Sequence, residues 1–62
     1  MAHKYNKITT EQVLQLFENK DVISKYYVCE KLGCSIYSAR RELEDLYDQR
    51  IIKKWNYGWY LI

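Results

Sequence analysis

Between Leu32 and Ile36 this chain stops one helix and starts another within a few residues. Gly33 follows an apolar helical segment directly, where glycine takes a left-handed conformation without steric penalty. Ser35, two residues on, is a strong N-cap. Both flanking segments carry apolar residues at helical spacing. Val28, Cys29 and Leu32 precede the break, and Ala39, Leu43 and Leu46 follow it, with Ile36 at the margin of the second stripe. Two helices joined by so short a turn cannot lie far apart, and each must bury its stripe. This is the sequence form of a helix-turn-helix.

The rest of the chain supplies what such a pair packs against. Ser24 caps the first of these helices, and Ile23 and Val28 have hydrophobic-staple spacing around it, so the helix is predicted over 25–32. Its successor is predicted over 36–49. Upstream, Thr9 and Gln12 have the spacing of a capping box, and Ile8 and Val13 that of a staple. Val13, Leu14, Leu16 and Phe17 then give an apolar face, which predicts a helix over 10–19. Val22-Ile23 is too short for an independent strand but long enough to pair with a hairpin edge. The period changes at the C-terminal end, where 51–55 and 59–62 are β-branched and aromatic and Asn56-Tyr57-Gly58 connects them, which reads as a hairpin. Alternation puts Trp59 and Leu61 on one face of the second strand and Tyr60 and Ile62 on the other, and we expect Trp59 and Leu61 to cover the core. The expected fold class is mainly α with a small β-hairpin (α+β): three helices, then the hairpin. Residues 1–7 read as a tail and 8–62 as one domain.

A chain of 62 residues has room for one small core. A domain of this size buries only about 60 % of its unfolded surface, so its stability is expected to be modest. Seven tyrosines and two tryptophans are more aromatics than such a core can hide, so some must face outward. The net charge is +2 and the pI about 8.6, milder than the pI above about 9 of a strongly basic nucleic-acid binder. Any case for nucleic acid must therefore rest on where the charges sit.

The residues Ile23-Ser24, Val28-Cys29, Leu32-Gly33-Cys34-Ser35, Ala39-Arg40-Arg41, Leu43, Leu46 and Ile51-Ile52 together resemble the winged helix-turn-helix family of DNA-binding proteins. The resemblance covers nearly the whole chain from Ile8. In that family small aliphatic residues usually stand where Cys29 and Cys34 do, and these are similar in size. Two departures stand out. Glycine often occupies the position of Arg50, so Arg50 or Gln49 must take the helix-ending conformation here. The wing is also short and aromatic rather than long, basic and glycine-rich, which argues against deep minor-groove insertion by its tip.

The resemblance implies sequence-specific binding of double-stranded DNA, with the helix over 36–49 in the major groove. That groove, about 12 Å wide, admits one helix, and a helix-turn-helix presents the N-terminal part of its second helix to it. Here that part carries Tyr37, Ser38, Arg40 and Arg41. Arginine can make two hydrogen bonds to guanine O6 and N7 or neutralise a phosphate. The free N–H groups near Ser35 attract a phosphate oxygen. Lys25, Lys53 and Lys54 are further candidates for backbone contacts, as are the tail lysines Lys4 and Lys7. Alternation sends Lys53 and Lys54 to opposite faces, so only one of the pair is expected at the duplex. Glu44, Asp45 and Asp48 are expected toward the far end of the helix, away from DNA.

Plainer roles exist for the same residues. Arg40 and Arg41 have helical spacing to Glu44 and Asp45 and can pair with them. Lys53 and Lys54 can serve as a solubilising strand edge. The exposed aromatics of the hairpin can dock a protein partner or a second copy. Cys29 and Cys34 are expected to be small, buried and reduced, since nothing marks the chain for secretion. Only His3 could add an imidazole to them, and it lies in the tail, so neither a metal site nor any other cofactor is expected. With no histidine in the folded part and no Gly-rich phosphate loop, no catalytic activity or small-molecule substrate is expected either. No signal-peptide core follows Met1 and no apolar run approaches the ~20 residues of a spanning helix, so we expect a soluble cytoplasmic protein without a membrane partner. Its size would suit a compact transcriptional regulator of a phage, virus or plasmid, or an accessory factor for DNA replication or excision.

Overall fold

A computed structural model describes residues 7–62. Three helices, α1 (Thr10–Leu16), α2 (Lys25–Leu32) and α3 (Ile36–Asp48), are followed by an antiparallel hairpin of β1 (Ile52–Trp55) and β2 (Gly58–Leu61). This is the expected α+β arrangement, with the hairpin at the C-terminal end. Of the expected tail, residues 1–6, His3 and Lys4 among them, lie outside the described residues. Lys7 is exposed.

Each helix starts where a side chain satisfies the first free N–H groups. Thr9 Oγ1 accepts from the Gln12 N–H at 3.2 Å, and Gln12 Oε1 accepts from the Thr9 N–H at 2.9 Å, closing the capping box. Ser24 Oγ accepts from the Tyr27 N–H, and Ser35 Oγ from the Ser38 N–H. Such caps stabilise a helix by about 1 kcal/mol each.

The helix ends differ. After Leu16, the N–H groups of Phe17, Glu18 and Asn19 each donate to the carbonyl three residues back. The predicted helix over 10–19 is therefore regular only to Leu16 and finishes in tighter turns. α2 stops at Gly33, with φ of 65°. α3 stops in a Schellman motif: the Arg50 N–H donates to the Tyr47 carbonyl and the Ile51 N–H to that of Leu46. Arg50 takes the left-handed position, with φ of 63°, where glycine would be unstrained.

In the hairpin, Ile52 faces Leu61, Lys53 faces Tyr60, Lys54 faces Trp59 and Trp55 faces Gly58. The turn is Asn56-Tyr57, with Asn56 at φ of 52°, so Gly58 lies in β2 and not in the connection as expected. Gly58 is needed for a different reason. A Cβ there would collide with the Val22 side chain and sit 3.1 Å from the Ile23 carbonyl oxygen. That close approach lets Ile23 pair with the outer side of β2, its N–H donating to Trp59 O at 2.9 Å and its carbonyl accepting from Trp59 N at 2.7 Å. Val22-Ile23 thus adds a one-bridge edge to the hairpin, as its length allowed.

All five elements and the α1–α2 link feed one core: Val13, Phe17, Ile23, Val28, Cys34, Ala39, Leu43, Leu46, Ile52 and Trp59. Ile8, Leu14, Leu16, Cys29 and Leu32 pack against it half-buried. Trp59 is buried as expected, with its ring edge-on to Tyr47 at 5.5 Å. Leu61 is not. It shares the inward face with Trp59, but its cross-strand partner Ile52 fills the buried place, and Leu61 is left 43 % exposed near the open end of the hairpin. Both thiols are free. Burial pushes the Cys34 thiol above its ordinary value of 9.0, and the neighbouring Cys29 adds to the shift. Among the described residues no helix is long and apolar enough to cross a membrane.

Candidate nucleic-acid interface

The outward face of α3 follows from its inward one. Ala39, Leu43 and Leu46 are fully buried, so at ~100° per residue Tyr37, Arg40, Arg41 and Glu44 must point away from the core. They line one shallow depression. Tyr37 is 81 % exposed, and both arginines are exposed as well.

The first turn of α3 is set by two serines. Ser35 Oγ accepts from the Ser38 N–H and donates to the Ser38 hydroxyl, both at 3.1 Å, and both residues are half-buried. The Ser35 hydroxyl is thus spent on the cap, and the Ser38 hydroxyl accepts from it. What the helix start still offers is the N–H groups of Ile36 and Tyr37, which have no intrahelical acceptor.

A second groove, of roughly 490 Å³, runs between α3 and the hairpin. Lys25 from the start of α2, Arg40 from α3 and Lys54 from β1 all line it, with Tyr26, Glu44 and Tyr57. The fold thereby gathers cations separated by up to 29 positions in the chain onto one surface. Lys25 Nζ lies 5.5 Å from the centre of the Tyr26 ring, and Lys54 Nζ 5.4 Å from that of Trp59, so aromatic faces hold both ammonium groups in place. Lys53 turns to the other face, as alternation required. It lines a separate groove with Tyr47, Asp48, Arg50 and Ile52, and Lys54 lines that groove too.

Of the residues picked from the sequence, Lys25, Arg40 and Lys54 therefore share the groove, and Tyr37 and Arg41 continue its surface along α3. Ser35 and Ser38 shape the start of α3, and Lys53 stands apart. Five residues lining the groove were not picked as contacts: Tyr26, Glu44, Asn56, Tyr57 and the core residue Trp59. Tyr26 and Tyr57 carried no local signal, because only the tertiary fold brings the hairpin turn beside α2. Glu44 did carry one. It was expected away from the interface, but it lies four residues from Arg40 and so on the same face. Its Oε2 accepts from Arg40 Nε at 3.0 Å, in the single ion pair among the described residues. The alternative pairing of Arg41 with Asp45 does not form there.

Compared with protein-family models, curated proteins and solved structures, the chain matches none. Among the described residues no three of His, Cys, Asp and Glu cluster closely enough to hold a metal ion.

Proposed function

We propose that this protein binds double-stranded DNA by placing α3 in the major groove, as a compact winged helix-turn-helix regulator of transcription. The observation that carries the reading is the convergence of Lys25, Arg40 and Lys54, from three elements, beside the exposed Tyr37–Arg41 face of one helix. In this reading α3 supplies donors to base edges, and Lys25 and Lys54, in the groove beside it, supply phosphate contacts. Phosphate contacts fix position and base contacts fix sequence. The reading needs no catalytic group, metal or cofactor, and it places the protein in the cytoplasm with its target.

The direct test is a gel-shift titration of mixed-sequence duplex across a salt series. Each neutralised phosphate contributes a log–log slope near about −0.9, so Lys25, Arg41 and Lys54 with one more cation predict a slope of about −3 to −4. Absence of binding at low salt would overturn the reading.

A second reading draws on the apolar residues that the hairpin leaves exposed. Trp55, Tyr57 and Ile62 are among them, Tyr57 to 96 %. A protein partner or a second copy docked on them would suit an accessory factor that recruits an enzyme to DNA. A DNA-bending assay separates such a factor from a simple repressor.

A further inference from the structure

Arg40 and Arg41 are neighbours on one exposed helix, but their surroundings differ in a way that assigns them different tasks. Arg40 Nε donates to Glu44 Oε2 at 3.0 Å. The ion pair is open to solvent, the two side chains being 60 % and 52 % exposed. Both terminal amino groups of Arg40 are without a partner among the described residues. Arg41 has no carboxylate partner there at all.

A guanidinium held through Nε keeps its other edge free, and that edge carries two parallel N–H donors in a fixed plane. Its charge, however, is cancelled at short range by the carboxylate. A cancelled charge releases few counterions from a phosphate backbone, so the pair makes a poor phosphate clamp. The directional donors survive the cancellation. A neutral acceptor pair at the right spacing is therefore a better partner for this edge than an anion. Guanine presents such a pair, O6 and N7, in the major groove. The carboxylate also repels phosphate, which steers the backbone away from Arg40 and leaves the space in front of it to a base edge. Arg41, with its full charge, suits a phosphate.

Resting on the DNA-binding reading above, we infer that Arg40 reads a guanine through its two terminal amino groups, that Glu44 is the positioning residue that holds it for this, and that Arg41 serves the backbone. Glu44 thus adds selectivity at the expense of raw affinity. This is the reverse of an acidic residue that only happens to lie near DNA, whose removal raises affinity for every sequence alike.

The two cases separate in one experiment. A duplex enriched from a random library with the wild-type protein is compared with the same duplex carrying each G·C pair changed to A·T in turn. Wild type, E44Q, R40A and R41A are titrated against each at several salt concentrations. An exposed pair at this spacing adds little to folding, so circular dichroism should show all four folded. Wild type is expected to lose about tenfold or more at one G·C position at least, and R40A to lose that preference. E44Q should bind random duplex more tightly while its preference at that position falls several-fold. R41A should weaken binding to all duplexes evenly and reduce the salt slope by about one. If E44Q keeps the full wild-type preference, the positioning role of Glu44 is overturned. If R40A keeps it, the guanine assignment is overturned. In both of those cases DNA binding itself stands. If wild type binds no duplex at any salt, the DNA reading fails and this inference fails with it.

Discussion

The two faces of α3 follow different rules. On the inward face Ala39, Leu43 and Leu46 are fully buried and meet side chains from the rest of the core. On the outward face Tyr37, Arg40 and Arg41 are exposed, and the one ion pair there joins Arg40 to Glu44. The inward residues hold the fold and have no chemistry to offer. The outward ones have donors and charge that the fold does not use. One helix can therefore be changed on one side without touching the task of the other, and this separation can be tested from either side.

The largest effect belongs to the inward face. Leu43→Ala should cost about 2–5 kcal/mol. A chain of 62 residues has about 3–9 kcal/mol in total, at ~0.05–0.15 per residue. The variant should therefore be largely unfolded near physiological temperature, which urea denaturation followed by circular dichroism would show. Arg40→Ala, on the outward face, should weaken binding to the preferred duplex by about 1–3 kcal/mol and leave the denaturation midpoint unchanged. A midpoint that dropped with the affinity would blur the division between the two faces.

At the exit of α3 the two rules meet in Arg50, which holds a left-handed backbone that an L side chain adopts at a cost of about 1–2 kcal/mol. Arg50→Gly removes that strain but loosens the unfolded chain, so a net gain of about 0.5–1 kcal/mol is expected. Because Arg50 lies outside the α3–hairpin groove, DNA binding should not change by more than the loss of one distant charge.

The smallest effect is a pH dependence from the core. Folding holds the Cys34 thiol protonated above its ordinary value of 9.0. Below that value both folded and unfolded chains keep the proton, and Cys34 contributes no slope. As pH rises past it, the unfolded chain loses the proton first, so stability falls until the folded-state value is passed. Cys34→Ala should flatten this alkaline decline in a series of melts at rising pH.

Much of this molecule was legible because its helix boundaries are marked locally. Thr9, Ser24, Ser35 and Gly33 each act within a few residues of themselves, and each predicted a start or stop that the structure contains. Ile23 was legible as an edge because an apolar pair beside a predicted hairpin has few other places to go. Gly58 was misread as part of the turn because its need for a bare Cα comes from Val22, more than thirty positions away. Leu61 was misplaced because alternation gives a side chain's face but not how far along the sheet the cover extends. The exposed face was legible on α3, where the apolar stripe dictates its opposite. The groove with Lys25, Tyr26 and Tyr57 was not, since three separate elements build it. Glu44 was legible as an ion-pair partner of Arg40 at helical spacing, and that pair forms, but its place toward the far end of the helix was read as taking it away from DNA.

The claim that α3 meets DNA is tested most directly by residue-resolved NMR of the labelled protein during titration with duplex. The account predicts the largest amide and side-chain shifts at Tyr37, Ser38, Arg40 and Arg41, with smaller ones at Lys25 and Lys54. Shifts confined to Trp55, Tyr60 and Ile62, or none at saturating duplex, would contradict it.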